Sequence, residues 1–166
     1  AGDMNGDGFD DLVIAASSAD SFNNTRSRAG ETYVIFGSTT FPALIDLAVT
    51  GSADVIISGV DSNDYSGYSI SGGGDVNGDG FDDIVIGAPR AEGSDNVGGE
   101  SGEAYIVYGQ ASLPATIDLA NLGSQGVTIF GLLHPGGGFR DDRFGSSVSI
   151  AGDVNGDGCD DVVIGA

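Results

Sequence analysis

Apolar residues in this chain come in short runs, each entered from a turn rich in glycine and aspartate. The clearest runs are Ile84-Val-Ile86 and Tyr105-Ile-Val-Tyr108, which are continuous rather than alternating. Runs of this kind fit strands that are covered on both faces. Around them the pattern predicts four short strands, at about residues 67–71, 83–87, 103–109 and 127–131. No stretch carries helical periodicity of useful length. Pro42 to Val49 and Pro114 to Asn121 read equally as short turns or as one more edge segment.

The pattern recurs at an offset of 72 residues. Glu31-Thr-Tyr-Val-Ile-Phe-Gly37 matches Glu103-Ala-Tyr-Ile-Val-Tyr-Gly109, and Pro42-Ala-Leu-Ile-Asp-Leu47 matches Pro114-Ala-Thr-Ile-Asp-Leu119. Val55-Ile-Ile-Ser-Gly59 matches Val127-Thr-Ile-Phe-Gly131. A third copy begins 78 residues after the second, with six extra residues falling between Leu132 and Arg143. Phe144-Gly-Ser-Ser-Val148 then answers Ser66-Gly-Tyr-Ser-Ile70. Four antiparallel strands per unit, repeated, predict an all-β fold built from β-propeller blades. Residues 1–66 would form a partial first blade (strands two to four), 67–143 the second, and 144–166 the start of a third. Two and a fraction blades leave apolar end faces open. The chain is therefore expected to be a window on a longer protein, joined to further blades, or to associate with copies of itself.

Each second strand is entered through the same nine residues, Asp-x-Asn-x-Asp-Gly-x-Asp-Asp. Side-chain oxygens fall at positions one, three, five and nine: Asp3, Asn5, Asp7 and Asp11; Asp75, Asn77, Asp79 and Asp83; Asp153, Asn155, Asp157 and Asp161. The glycine at position six permits a sharp turn that lets the next carbonyl, from Phe9, Phe81 or Cys159, point inward. Oxygen-only ligands at this density describe calcium before magnesium, and exclude zinc or copper, which recruit His or Cys. Position twelve is Ile14, Ile86 or Ile164, so the bidentate Glu of an EF-hand is missing and the acid at nine must close the ring. The acid at position eight (Asp10, Asp82 or Asp160) has the opposite strand parity, which predicts a role outside the ligand ring or toward solvent. An Asp/Asn/Gly turn without metal would explain one copy, but three copies with the same five ligand positions favour up to three Ca2+ sites.

Composition narrows the partners. The formal charge is −20, from 25 acidic residues against five arginines and no lysine. Nucleic acid is excluded as a partner, because phosphate binding needs a basic footprint. Excess acid with cation sites suits an extracellular or cell-surface setting. No apolar run reaches the roughly 18 residues of a membrane span. Cys159 is the only cysteine, so no internal disulfide is possible, and its position, held by Phe in the other copies, suggests a small buried apolar side chain. His134 is the only histidine and sits in the inserted loop, and no Ser/His/Asp spacing or lysine base is present. The chain reads as non-enzymatic, with a calcium-dependent polysaccharide-active parent or an architectural surface repeat as competing readings.

Phe144-Gly-Ser-Ser-Val148, Ala151-Gly-Asp-Val-Asn-Gly-Asp-Gly158, Val163-Ile-Gly-Ala166 and Ile86-Gly-Ala-Pro89 resemble the FG-GAP repeat of integrin alpha-subunit propellers and of bacterial extracellular proteins. The first unit departs, with Ile14-Ala-Ala-Ser17, and the second has Ser66-Gly67 where Phe-Gly is usual. The resemblance implies a seven-bladed propeller with calcium in the hairpins joining strands one and two, acting in adhesion or ligand binding. In an up-and-down blade those hairpins lie opposite the long connectors Ala16 to Gly30, Ala88 to Gly102 and Leu132 to Arg143, which hold all five arginines. Loops on a rigid scaffold commonly bind partners, which places a protein or glycan ligand on the connector face.

Overall fold

The computed structural model describes residues 1–93, 99–132 and 142–166. It is all-β, with three sheets side by side. The first contains β1 (Leu12–Ala16), β2 (Glu31–Ile35) and β3 (Val55–Ser58), paired antiparallel in that order. The second contains β4 (Ser69–Gly74), β5 (Asp83–Ala88), β6 (Glu103–Val107) and, after a crossing described below, β8 (Gly126–Phe130). It is antiparallel throughout, in the order β4-β5-β6-β8. The third is the hairpin of β9 (Ser147–Gly152) and β10 (Asp161–Gly165). These are blades of a β-propeller, as the strand pattern predicts.

The ambiguous segment resolves into an exchange between blades. β7 (Thr116–Asp118) belongs to the second unit by sequence, yet it pairs in parallel with β3 on the outer edge of the first blade. Thr116, Ile117 and Asp118 stand opposite Ile56, Ile57 and Ser58. Ile117 is buried there, while the Arg26 guanidinium donates to both Asp118 oxygens (2.7 and 3.2 Å) and to the Gly59 carbonyl (2.8 Å). An apolar residue pins the strand, and a forked ion pair fixes its register. Two 3-10 turns, Leu119–Asn121 and Gly123–Gln125, then return the chain to its own blade.

The core lies between the first two blades. Val34, Val55, Ile57 and Ile117 from one side meet Ile84, Ile86, Tyr105 and Val107 from the other, with Met4, Leu119 and Leu122 completing the cluster. Each such side chain contributes roughly 1.5–3 kcal/mol when fully buried. β9 packs on the far side of β4, and every residue of β5 and β6 is buried. That two-sided cover is why their apolar runs are continuous.

Ser66-Gly67 does the backbone work of Phe144-Gly145. Ser66 and Phe144 donate N–H groups to Ala29 and Ser101, and Gly67 and Gly145 donate to Gly87 and Gly165. The side chain before the glycine is therefore the more replaceable half of the pair. His134 and Arg140, with most of the inserted segment, lie outside the described residues.

Candidate metal centre

The three aspartate loops share one local conformation, set by short-range hydrogen bonding. Asp3 Oδ1 accepts the N–H groups of Gly6 (2.7 Å) and Asp7 (3.1 Å), and its Oδ2 accepts that of Gly8 (2.8 Å). Asp75 holds Gly78, Asp79 and Gly80 in the same way, and Asp153 holds Gly156, Asp157 and Gly158. Asn5 and Asn77 accept from Asp7 and Asp79, both at 2.9 Å. Asp7, Asp79 and Asp157 accept in turn from Phe9, Phe81 and Cys159 at 2.9–3.0 Å. The position-six glycines have φ of 89° (Gly8), 91° (Gly80) and 94° (Gly158), a region that side chains with a Cβ rarely enter. The sequence thus folds each loop onto its own first aspartate.

Position nine ties the loop to the sheet. Asp11 accepts from Met4 (2.9 Å) at the loop's second residue and from Gly37 (2.8 Å) beyond β2. Asp83 does the same with Val76 and Gly109, both at 2.9 Å, and is fully buried. Burial raises both carboxyls above the ordinary aspartate value, with the neighbouring loop aspartates adding to it; Asp83 reaches about 6. Asp161 is different. It is half-buried and accepts from Val154 (2.8 Å), from Asn155 N–H (3.2 Å) and from the Asn155 amide (3.2 Å). In the first two loops that amide instead donates to Asp7 or Asp79.

The donor set fits a hard dication: three carboxylates, one amide and one carbonyl per loop, with no nitrogen or sulfur ligand required. Among the described residues no three His, Cys, Asp or Glu side chains converge closely enough to cage an ion. The fit is one of donor chemistry and of a backbone already bent around the first ligand. Cys159 is half-buried, and burial with nearby aspartates raises its thiol above the ordinary value, which opposes thiolate chemistry.

The position-eight acids do not face solvent in the second and third loops. Asp82 Oδ2 accepts the Asp3 N–H of the preceding loop (2.7 Å), and the Asp82 N–H donates back to the Asp3 carbonyl (3.1 Å). Asp160 repeats this with Asp75, at 3.0 and 2.8 Å. A Cβ on Gly2 or Gly74 would lie 2.1 or 2.4 Å from these carboxylate oxygens, so glycine makes the room for them before the first and second loops. The Phe81 ring also lies over the first loop, 2.6 Å from where a Cβ on Gly6 would stand. Strand parity correctly turned position eight away from its own loop but could not show the neighbour. The signal available in sequence was the acid's recurrence in all three copies.

At the opposite end, acidic groups gather between the first two blades. Asp64 is buried, and desolvation pushes its carboxyl up to about 7, with Asp61, Glu103 and Glu92 nearby. Glu103 is buried too and accepts from the Tyr105 hydroxyl, a pairing repeated by Tyr33 and Glu31. A cleft of about 370 Å3 is lined by Ser62, Asn63, Asp64, Arg90, Glu92 and Glu100, among others. Three of the connector arginines are engaged within the chain. Arg26 grips Asp118, Arg90 lies over Tyr65 (4.8 Å) and near Glu100 (3.6 Å), and Arg143 meets Glu100 at 3.2 Å.

Comparison with known proteins places this arrangement. The chain is 36% identical to integrin alpha-PS2 of Drosophila melanogaster over 66% of its length, covering 7% of that protein. It is 31% identical to integrin alpha-5 of Xenopus laevis across its whole length, covering 14% of the relative. Integrin alpha-8 of Mus musculus is 40% identical over 61% of this chain, which covers 8% of it. The chain thus spans a small part of each relative. The model of the FG-GAP repeat matches residues 1–35, 66–107 and 144–166, more than half of the chain and each of the three aspartate loops. This chain belongs to the FG-GAP repeat family.

Proposed function

We propose that this chain is a calcium-binding extracellular β-propeller module for adhesion or ligand binding, in which calcium is structural. One observation carries the reading: three loops with the same oxygen donors fold onto their first aspartate, and in two of them the ninth residue is a buried carboxylate. Buried acids close to other acids are costly unless a cation offsets them. In the first site Asp3, Asn5, Asp7 and Asp11 would hold the ion with the Phe9 carbonyl. In the second the set is Asp75, Asn77, Asp79, Asp83 and the Phe81 carbonyl, and in the third Asp153, Asn155, Asp157, Asp161 and the Cys159 carbonyl. The ion would neutralise repelling aspartates and pin the hairpin leading into β1, β5 or β10.

Partner contacts belong on the opposite, connector face, with a cell-surface protein or glycan as the partner class. The supports are the placement of the long connectors there and the cleft between blades. The internal pairing of Arg26, Arg90 and Arg143 moves the emphasis from basic to acidic and neutral groups as the contacting chemistry. The likeness to integrin alpha subunits supports a non-catalytic role outside the cell.

Thermal melts in millimolar calcium and in excess chelator test the reading. Saturating calcium is expected to raise the melting temperature, by about 2.7 kcal/mol of stabilisation per site at a hundred times the dissociation constant. An unchanged melt sinks it. Asp79→Ala should weaken the second site most.

A further inference from the structure

We propose that Asp82 and Asp160 couple neighbouring calcium loops, so that filling one loop raises the affinity of the next. The proposal rests on the calcium reading above. Neither residue occupies a ligand position of its own loop. Each instead joins the first ligand residue of the loop before it through two hydrogen bonds: Asp82 with Asp3 (2.7 and 3.1 Å), and Asp160 with Asp75 (3.0 and 2.8 Å). The contact spans 79 residues in one case and 85 in the other, so it is a seam between blades and not a local turn.

The coupling is mechanical in origin. Asp3 presents its carboxylate to its own loop and its N–H and carbonyl to Asp82. An ion that fixes the Asp3 carboxylate therefore also fixes the two backbone groups that hold Asp82. Asp82 in turn sits between Phe81, whose carbonyl would be a ligand of the second loop, and Asp83, which closes that loop. Ordering either loop lowers the entropy cost of ordering the other, and by linkage the effect is reciprocal. Gly2 and Gly74 leave the room that the two carboxylates need. Asp10 is exposed and makes no such bond to the loops at Asp75 or Asp153 among the described residues, so its substitution serves as a control for those two loops.

The experiment titrates the full chain with calcium chloride while following the amide resonances of Gly8, Gly80 and Gly158, one reporter per loop. Asp82→Ala is expected to weaken the loop at Asp3 by at least about fivefold, and Asp160→Ala to do the same to the loop at Asp75. Asp82→Asn should retain most of the affinity, because its amide oxygen still accepts the Asp3 N–H. Asp10→Ala should leave the loops at Asp75 and Asp153 unchanged. A parallel melt in chelator separates coupling from simple fastening. If Asp82→Ala lowers that melt but leaves the calcium midpoint at Asp3 unmoved, the proposal is overturned. A wild-type chain with no calcium response overturns the calcium reading and the coupling together.

Discussion

The second and third aspartate loops carry the same donor residues at the same spacing, and what differs is how much of a blade surrounds each: four strands around the second, a two-stranded hairpin beside the third. In the second, Asp83 is fully buried and receives N–H groups from Val76 within the loop and from Gly109 beyond β6. In the third, Asp161 is half-buried and, among the described residues, receives only from Val154 and Asn155 of its own loop. The short-range shape belongs to the nine residues, because the first aspartate folds the turn in both. The setting of the closing carboxylate belongs to the blade, because a third strand must arrive to bury it. A motif of this kind specifies donors by itself and specifies the burial of its closing carboxylate only together with its neighbours.

The sharpest way to break the contrast is to remove the closing acid from each loop. Asp83→Ala strands the buried Gly109 N–H and the part-buried Val76 N–H and should cost about 2–4 kcal/mol in urea denaturation, against less than about 1 kcal/mol for Asp161→Ala. Equal losses would mean that burial by the third strand is irrelevant. The effect of pH comes next in size. Asp83 titrates at about 6 in the folded chain because it is desolvated, well above the ordinary aspartate value of 3.8. Its protonated form is favoured by folding, so in chelator this group contributes stability at low pH that is lost as pH rises through about 6. On the calcium reading the second loop needs this carboxylate, so its affinity should instead fall about tenfold per unit below pH 6. Asp153 is held below the ordinary value by N–H donation, first from Gly158, so the third loop's first ligand should stay charged to lower pH. Site-resolved titrations at pH 5 and 7 would show whether the two loops separate.

A second pH effect uses a carboxylate that shares the burial but not the loop. Asp64, raised to about 7 by desolvation, should give a decline in stability as pH rises through 7. Asp64→Asn should abolish that decline, and calcium should not alter it, whereas calcium should erase the decline due to Asp83. Smallest of all is the seventh position. Phe81→Ala removes a ring packed on the first loop and should cost about 1 kcal/mol. Cys159→Ser should fall within about 0.5 kcal/mol, since neither a disulfide nor a catalytic thiolate depends on it. Differential scanning calorimetry resolves both.

The sequence revealed most where physics is local. The spacing of the acids, the sharp glycine and the absence of an acid at position twelve are all decided within one loop, and each loop folds onto its own first aspartate. Two-sided burial of Ile84 to Ile86 was likewise written in the continuity of the run. What escaped the sequence is decided between blades. Thr116–Asp118 is too short to announce itself as a strand, and its partner β3 lies in the previous unit. The grip of Asp82 on Asp3 and of Arg26 on Asp118 depends on which blades become adjacent, and no periodicity within a unit encodes that. The pairings of Arg26, Arg90 and Arg143 escaped for the same reason: their charge is visible in the chain, but the acids they meet are not.

The crossing of β7 has a consequence for the growing chain. During synthesis β1, β2 and β3 emerge together, but the outer edge of β3 stays bare until Asp118 has left the ribosome about 60 residues later, several seconds at ordinary translation rates. An open edge is the part of a sheet most prone to join another molecule. The first blade is therefore sealed by a strand translated with the second, and a stall between Ser58 and Thr116 would release an intermediate with that edge open.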